Sequence, residues 1–148
     1  MQLDDLYRRV IMDHYKNPRN QGQIDADTLT IDLNNPTCGD RISLQMHIAD
    51  HVVKSAKFKG EGCSISIASA SMMTEAVRGK SVDEAIALAE KFSRLMKGEE
   101  VSFEELEDIE ALSGVNKFPA RIKCATLAWN ALRKGAELNQ RETNHNQS

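Results

Sequence analysis

Apolar side chains recur every three or four positions at the start of the chain, which predicts an amphipathic helix. Asn17 and Pro18 end this segment, because the residue before a proline is pushed out of the helical region. The first element is therefore expected to lay one face on the rest of the protein. The positions with this spacing are Leu3, Leu6, Tyr7, Val10, Ile11 and His14.

An alternating pattern follows and predicts β-strands. Two alternating segments are separated by a break at NNPTCGD, and Val52 to Lys59 is a third candidate after a short connection. Strands joined by short turns pair antiparallel, and one face of such a sheet packs on the core. We expect helices to cover that face. The alternating positions are Leu29, Ile31 and Leu33, and then Ile42, Leu44, Met46 and Ile48.

The second half of the chain has helical spacing. Small residues fill the segment 64–78, which lets a helix lie close to the sheet before Gly79 ends it. A last helix is expected to begin at Pro119, a residue type favoured in the first turn. The predicted fold class is α+β, with a three-stranded antiparallel sheet and helices packed on one face. Capping boxes predict the starts of two further helices, at Ser81 with Glu84 and at Ser102 with Glu105.

Length and composition fit a single domain. A chain of 148 residues with 41% apolar residues can bury one core without disulfides. We place this domain at residues 1–138 and expect the polar segment 139–148 to be disordered, since it has too little apolar surface to bury.

Charge and hydropathy exclude some partners. The apolar runs are far shorter than the roughly 20 residues that cross a bilayer, and the first residues lack the order of a signal peptide. We therefore expect no membrane association and a cytoplasmic location. A net charge of −3 argues against a protein that binds the phosphate backbone, so nucleic acid is not an expected partner.

Three cysteines carry the candidate chemistry. An odd number of thiols in a reducing compartment leaves metal binding, catalysis or core packing as explanations. Cys38 lies in a turn marked by a proline and a glycine, with Asp40 two residues on, so one sulfur and one oxygen can be aimed at one point. Cys63 precedes a helix, whose dipole favours the thiolate. Cys124 falls early in the last helix.

Spacing by itself leaves core packing open for these cysteines. Free cysteine is among the most buried residue types, and no pair here has the close separation of a zinc finger. Position favours chemistry, because two of the three stand beside glycines at element boundaries. No Ser-His-Asp pattern stands out. Ordinary structural roles are expected for the histidines, which are His14, His47, His51 and His145.

Four sequence blocks resemble, in order, the IscU/NifU-type proteins of iron–sulfur cluster assembly. The blocks are LYRRVIMDHYKNPRN, NPTCGD, FKGEGCSISIASASMM and RIKCATLAWNAL, and the match extends to about Leu138. The family pattern is Cys-Gly-Asp, a second Cys before a helix, and a third Cys in the last helix. The resemblance therefore implies that Cys38, Asp40, Cys63 and Cys124 are metal or cluster ligands.

Two departures make the chain most similar to the SufU branch. FPARIKC replaces the chaperone-recognition stretch of IscU-type scaffolds, and Lys123 replaces their histidine. The segment 97–117 resembles the SufU insertion. We expect it to contribute to partner docking, with Glu104 and Glu107 as the charges to reverse, or else only to patch the core. The branch is associated with zinc and with persulfide sulfur from a pyridoxal-phosphate-dependent cysteine desulfurase of the SufS type.

The resemblance implies a zinc-dependent sulfurtransferase with Cys38 as the sulfur acceptor, serving downstream iron–sulfur assembly proteins. Two alternatives stay open: a scaffold for a transient [2Fe–2S] cluster, and an adapter whose zinc only ties the sheet to the last helix. Whether the protein is an enzyme in its own right stays open as well. Arg121 and Lys123 are candidates to support negative charge near the sulfur, although Lys123 also fits a solvated helix position.

Overall fold

The computed structural model describes residues 3–24, 28–36, 39–102, 104 and 106–146. It consists of a β-meander between an N-terminal helix and a helical C-terminal half, so the predicted α+β class is confirmed. The elements in chain order are α1 (Leu3–Lys16), β1 (Leu29–Asn35), β2 (Asp40–Ala49), β3 (Val52–Glu61), α2 (Ser64–Val77), α3 (Val82–Met96), a 3₁₀-helix (Glu107–Lys117) and α4 (Pro119–Asn146).

The three strands form an antiparallel sheet in the order β1-β2-β3. Ile31 pairs with Leu44, and Leu44 pairs with Phe58, so three buried side chains from the three strands line up on one face. Asp50 and His51 form the β2–β3 connection with φ of 54° and 62°, the left-handed values of a tight hairpin turn. The predicted strands and their pairing are confirmed.

Helices α2 and α4 cover the buried face of the sheet. Gly135 of α4 allows this close packing, because a Cβ atom there would collide with the Met46 side chain on β2. Helix α3 packs on α4, where Phe92 stacks on Trp129 with ring centroids 4.7 Å apart. The buried side of α2 therefore lies at the centre of the molecule, between the sheet, α4 and α1.

One of the two predicted capping boxes is confirmed. Ser81 Oγ accepts a hydrogen bond from Glu84 N at 3.1 Å, and Ser81 N donates to Glu84 Oε1 at 3.2 Å, where α3 begins. The backbone and side-chain hydrogen bonds with Ser81 lower the pKa of the exposed Glu84 carboxyl. This pair reproduces the reciprocal geometry that the sequence pattern predicts.

The second predicted helix, from Ser102, is wrong in type and start. Glu105, its capping partner, lies outside the described residues, and the described segment forms a 3₁₀-helix that begins at Glu107. Glu107 has φ of 49°, so it cannot continue an α-helix from Ser102. The run Ser-Gly-Val-Asn within the helix has low α-helical propensity, which favours the tighter i to i+3 turns.

Helix α4 begins at Pro119 as predicted and continues to Asn146, past the predicted domain limit at residue 138. Gln140 Nε2 donates to Asp83 Oδ1 on α3 at 2.6 Å, which gives this part of the helix a polar contact with the rest of the protein. The structure thus shows helix over most of the segment for which the composition predicts disorder. The single-domain limits themselves stay a prediction. Among the described residues, no helix combines the length and the apolar character needed to cross a bilayer.

Candidate metal centre

Three of the four predicted ligand residues meet at one end of the sheet. Asp40 opens β2, Cys63 precedes α2, and Cys124 lies in the second turn of α4. The ligand atoms of these three residues all lie within 4.8 Å of one another. The pairing of β2 with β3 explains why Asp40 lies near Cys63. Arg41 pairs with Glu61, which leaves Asp40 beside the residues that lead into α2.

Asp40 is fully buried, and only one of its two carboxylate oxygens accepts a hydrogen bond from a described residue. Its Oδ1 accepts a hydrogen bond from the Cys63 backbone N–H at 3.0 Å, which ties the start of α2 to the start of β2. Its Oδ2 has no hydrogen-bond partner within the part of the chain that the structure describes. A buried carboxylate oxygen without a partner costs free energy, so this atom is a candidate ligand for a cation.

Gly62 makes the approach between Asp40 and Cys63 possible. Its φ is 156°, and a Cβ atom at this position would collide with Asp40 Oδ1. A larger residue would therefore displace the carboxylate or the Cys63 amide that it accepts from. The glycine next to the second cysteine is needed for close approach of the backbone to the site.

The two described cysteines lie in different surroundings. Cys63 is half-buried and is the N-cap residue of α2, yet its side chain makes no capping hydrogen bond, which leaves the sulfur available to a ligand. Helix N-termini favour an ionised thiolate. Cys124 is fully buried, and its sulfur lies 3.8 Å from the carbonyl oxygen of Ala120, one turn earlier in α4.

Arg121 supplies positive charge to the same site. The negative charge of the Cys63 thiolate raises the pKa of this guanidinium, and its hydrogen bonds to Cys63 and Cys124 raise it further. Arg121 is therefore placed to support negative charge near the sulfurs, the role that the sequence suggests for it. Lys123 is exposed, which fits the solvated helix position also considered for it.

Cys38 lies outside the described residues, so its membership of the site stays a prediction. The histidines whose positions are described do not belong to this group of potential ligands. His14 is buried elsewhere, where Nδ1 lies 2.7 Å from Ser71 Oγ and Nε2 lies 2.8 Å from Asp108 Oδ2. No local pattern in the sequence predicts this arrangement, because Ser71 and Asp108 lie 57 and 94 positions from His14.

The donor set fits zinc. Thiolate sulfur and carboxylate oxygen are both ligands that Zn²⁺ accepts, in tetrahedral sites with bonds of about 2.0–2.3 Å. Such bonds place neighbouring ligand atoms roughly 3.3–3.8 Å apart. Side chains that already lie within 4.8 Å of one another need only small adjustments to reach these separations. The unpaired Asp40 oxygen is the observation that this ion would explain.

The sequence matches a known protein family over most of its length. The sequence profile of the NifU-like N terminal domain matches residues 6–143, which is most of the chain. This chain belongs to that family. Its fold class is that of the solved structures to which it is similar.

Relatives within the family carry two different functional names. The zinc-dependent sulfurtransferase SufU of Bacillus subtilis (strain 168) is 60% identical over 134 residues, which cover 90% of each chain. The iron-sulfur cluster assembly scaffold protein IscU of Streptococcus pyogenes serotype M1 is 51% identical over 133 residues, covering 89% of this chain and 83% of that protein. A solved structure of a hypothetical protein is 50% identical, with a TM-score of 0.85 over 90% of this chain and 98% of that one.

Proposed function

We propose that this protein is a zinc-dependent sulfurtransferase of iron–sulfur cluster assembly. It would accept sulfur from a pyridoxal-phosphate-dependent cysteine desulfurase, of the SufS type, and pass it to downstream assembly proteins in the cytoplasm. The observation that carries the proposal is the meeting of Asp40, Cys63 and Cys124 around an unpaired carboxylate oxygen. The relative named as a zinc-dependent sulfurtransferase, at 60% identity, supports the same function.

Asp40, Cys63 and Cys124 would hold the zinc ion together with Cys38. Zinc has no redox chemistry of its own, keeps its thiolate ligands deprotonated and exchanges ligands readily. Asp40 would act at two atoms, since Oδ1 holds the Cys63 amide while Oδ2 is free for the ion. Arg121 would balance the negative charge of the sulfurs from the solvent side.

Cys38 is the proposed sulfur acceptor. Its thiolate would attack the outer sulfur of the desulfurase persulfide, forming a new S–S bond while the old one breaks. The desulfurase cysteine leaves as a thiolate, and Cys38 becomes the persulfide. Electrons balance without an added oxidant, because the transferred sulfur keeps its oxidation level. The sequence predicts a turn at Cys38, and a turn residue can move at less cost than a cysteine fixed in a helix.

The second candidate function is a scaffold for a transient [2Fe–2S] cluster, the role named for the Streptococcus pyogenes relative. A two-iron cluster divides its protein ligands between two metal ions, so ligands to different irons lie further apart than ligands to one ion. The three described ligand atoms all lie within 4.8 Å of one another, which favours a single ion. The geometry therefore supports zinc as the first candidate.

Metal analysis of anaerobically purified protein, followed by desulfurase turnover with and without it, tests the proposal. We expect about one zinc per chain, little iron and faster turnover in the presence of the protein. Iron in excess of zinc, with a visible charge-transfer spectrum, would favour the scaffold. Mass spectrometry after turnover should find the added sulfur on Cys38, and sulfur only on Cys63 or Cys124 would remove Cys38 as the acceptor.

A Cys38→Ser variant separates sulfur acceptance from folding. We expect it to abolish stimulation of the desulfurase while the melting temperature of the metal-free protein is unchanged. The matched control is Ser55→Ala, which removes a half-buried hydroxyl of β3 outside the proposed ligands. Normal sulfur transfer by Cys38→Ser would contradict the assignment.

A further inference from the structure

A groove of about 750 Å³ opens beside the candidate metal centre. Its walls come from α1, the start of α2, the 3₁₀-helix and the start of α4. Ile11, Met12 and Val115 give it an apolar lining, and Phe118 stands at its edge with 62% of its surface exposed. An exposed aromatic next to an apolar groove is typical of a protein–protein contact site.

The charged residues in the described lining of the groove are all basic. Arg8, Lys117 and Arg121 are exposed and line it, and none of its described lining residues is acidic. The whole chain carries a net charge of −3, so this is a local concentration of positive charge. With the described side chains, Arg8 and Lys117 make no ion pair. The groove is complementary to an apolar side chain flanked by carboxylates.

The groove is also continuous with the candidate metal centre. Ser64, which directly follows Cys63, lines it, and so does Arg121, whose guanidinium interacts with the side chains of Cys63 and Cys124. A protein segment bound in the groove therefore ends beside the sulfurs. A sulfur donor must bring its persulfide to this point, whereas a partner with no part in the transfer has no reason to bind there.

We propose that this groove docks the sulfur-donating protein, through an acidic segment with an apolar anchor that lies near the persulfide-bearing cysteine. The inference rests on the proposed function and adds the surface that the donor recognises. It also refines the expectation for the insertion: exposed Lys117 on the groove side makes the contact, whereas the exposed acids Glu104 and Glu107 do not line the groove.

Two charge-reversed proteins compare the groove with another basic surface. Arg8→Glu with Lys117→Glu reverses two groove charges, and Lys54→Glu with Lys59→Glu reverses two exposed lysines of β3. Neither pair includes a proposed metal ligand. Zinc-loaded forms of each are titrated into a purified cysteine desulfurase, and turnover is recorded at low and moderate salt. Phe118→Ala is tested in the same way for the apolar anchor.

We expect the groove pair and Phe118→Ala each to raise the half-saturating concentration about tenfold, with unchanged maximal turnover and zinc content. The β3 pair should behave as wild type. Salt should weaken the wild-type interaction more than that of the groove pair.

Equal half-saturation for wild type and the groove pair would overturn the docking assignment and leave the proposed function standing. Loss of affinity on reversal of Glu104 and Glu107 alone would place the docking surface on the other side of the insertion. A groove pair that changed the self-association of this chain, and not its affinity for the desulfurase, would make a second copy the occupant. A zinc-loaded wild type that failed to stimulate the desulfurase would overturn both proposals.

Discussion

Two polar clusters touch helix α2, and they differ in how completely their hydrogen bonds are made. At the start of the helix, Asp40 approaches Cys63 and Cys124 but keeps one oxygen without a partner. Midway along the helix, Ser71, His14 and Asp108 form a continuous chain of short hydrogen bonds. The incomplete cluster has room for a cation, and the complete one does not need a ligand.

The complete cluster has the residue types of a hydrolase triad without its chemistry. The Asp108 carboxylate accepts the hydrogen bond from His14 Nε2. Ser71 Oγ accepts from the Arg19 backbone N–H at 2.9 Å and can donate its own proton to His14 Nδ1. Ser71 is fully buried and cannot reach a substrate. The chain of bonds instead fastens α1 and the 3₁₀-helix to α2. Residue types therefore do not identify a site without accessibility and unpaired atoms.

Removing zinc should have the largest effect on stability. At free zinc about a thousandfold above the dissociation constant, binding adds about 4 kcal/mol to the free energy of unfolding. For a chain of this size we expect the melting temperature to fall by roughly 12 °C on chelation, as measured by calorimetry. Cys63→Ser is the control and should lose most of this difference. Identical melting temperatures with and without zinc would mean that the incomplete cluster binds no ion.

Breaking the complete cluster should affect stability alone. His14→Ala removes the shared partner of Ser71 and Asp108 and leaves a cavity, so we expect a loss of about 3 kcal/mol from the free energy of unfolding in urea. Zinc content and sulfur transfer at 25 °C should be unchanged. His47→Ala, at a half-buried position on the sheet, is the matched control. A loss of transfer in folded His14→Ala would show that this cluster also serves the reaction.

Asp40→Asn should separate the two roles of the carboxylate. The amide oxygen can still accept from Cys63 N–H, but the neutral group is a weaker zinc ligand, so we expect at least about tenfold weaker zinc binding. The metal-free variant should melt at the same temperature as the wild type or slightly higher, because a buried unpaired charge is gone. Asp32→Asn, an exposed change on β1, is the control. Normal zinc affinity together with a lower melting temperature would make Asp40 a purely structural residue.

The smallest expected effect is that of Asp108→Asn. The Asp108 side chain is 60% exposed, so its pairing with buried His14 is screened by water. An asparagine can keep one hydrogen bond to Nε2, and we expect a loss of about 0.5–1 kcal/mol from the free energy of unfolding. A loss as large as that of His14→Ala would mean that charge, and not packing, dominates the complete cluster.

The strands and most helices could be predicted because their signals are local. Alternation over Ile42 to Ile48 and the reciprocal capping of Ser81 with Glu84 depend on neighbours in sequence. The α-helix predicted from Ser102 is wrong because Glu107 adopts a positive φ, a conformation that a capping pattern at Ser102 does not reveal.

The candidate site was predicted through its resemblance to a family, since spacing alone left the cysteines ambiguous. What the sequence could not show is the state of individual atoms. The bond from Cys63 N–H to Asp40 Oδ1, the unpaired Oδ2 and the approach of Arg121 to two sulfurs all depend on long-range packing. The groove beside the site likewise combines four elements that are distant in sequence.

X-ray absorption at the zinc edge of anaerobically purified protein reads out the proposed metal centre itself. We expect one zinc per chain with three sulfur ligands at about 2.3 Å and one oxygen ligand at about 2.0 Å. Cys38→Ser should leave two sulfur ligands, and Asp40→Asn should leave three. Iron in place of zinc, or a zinc ion with no sulfur ligands, would show that these residues do not form the proposed zinc site.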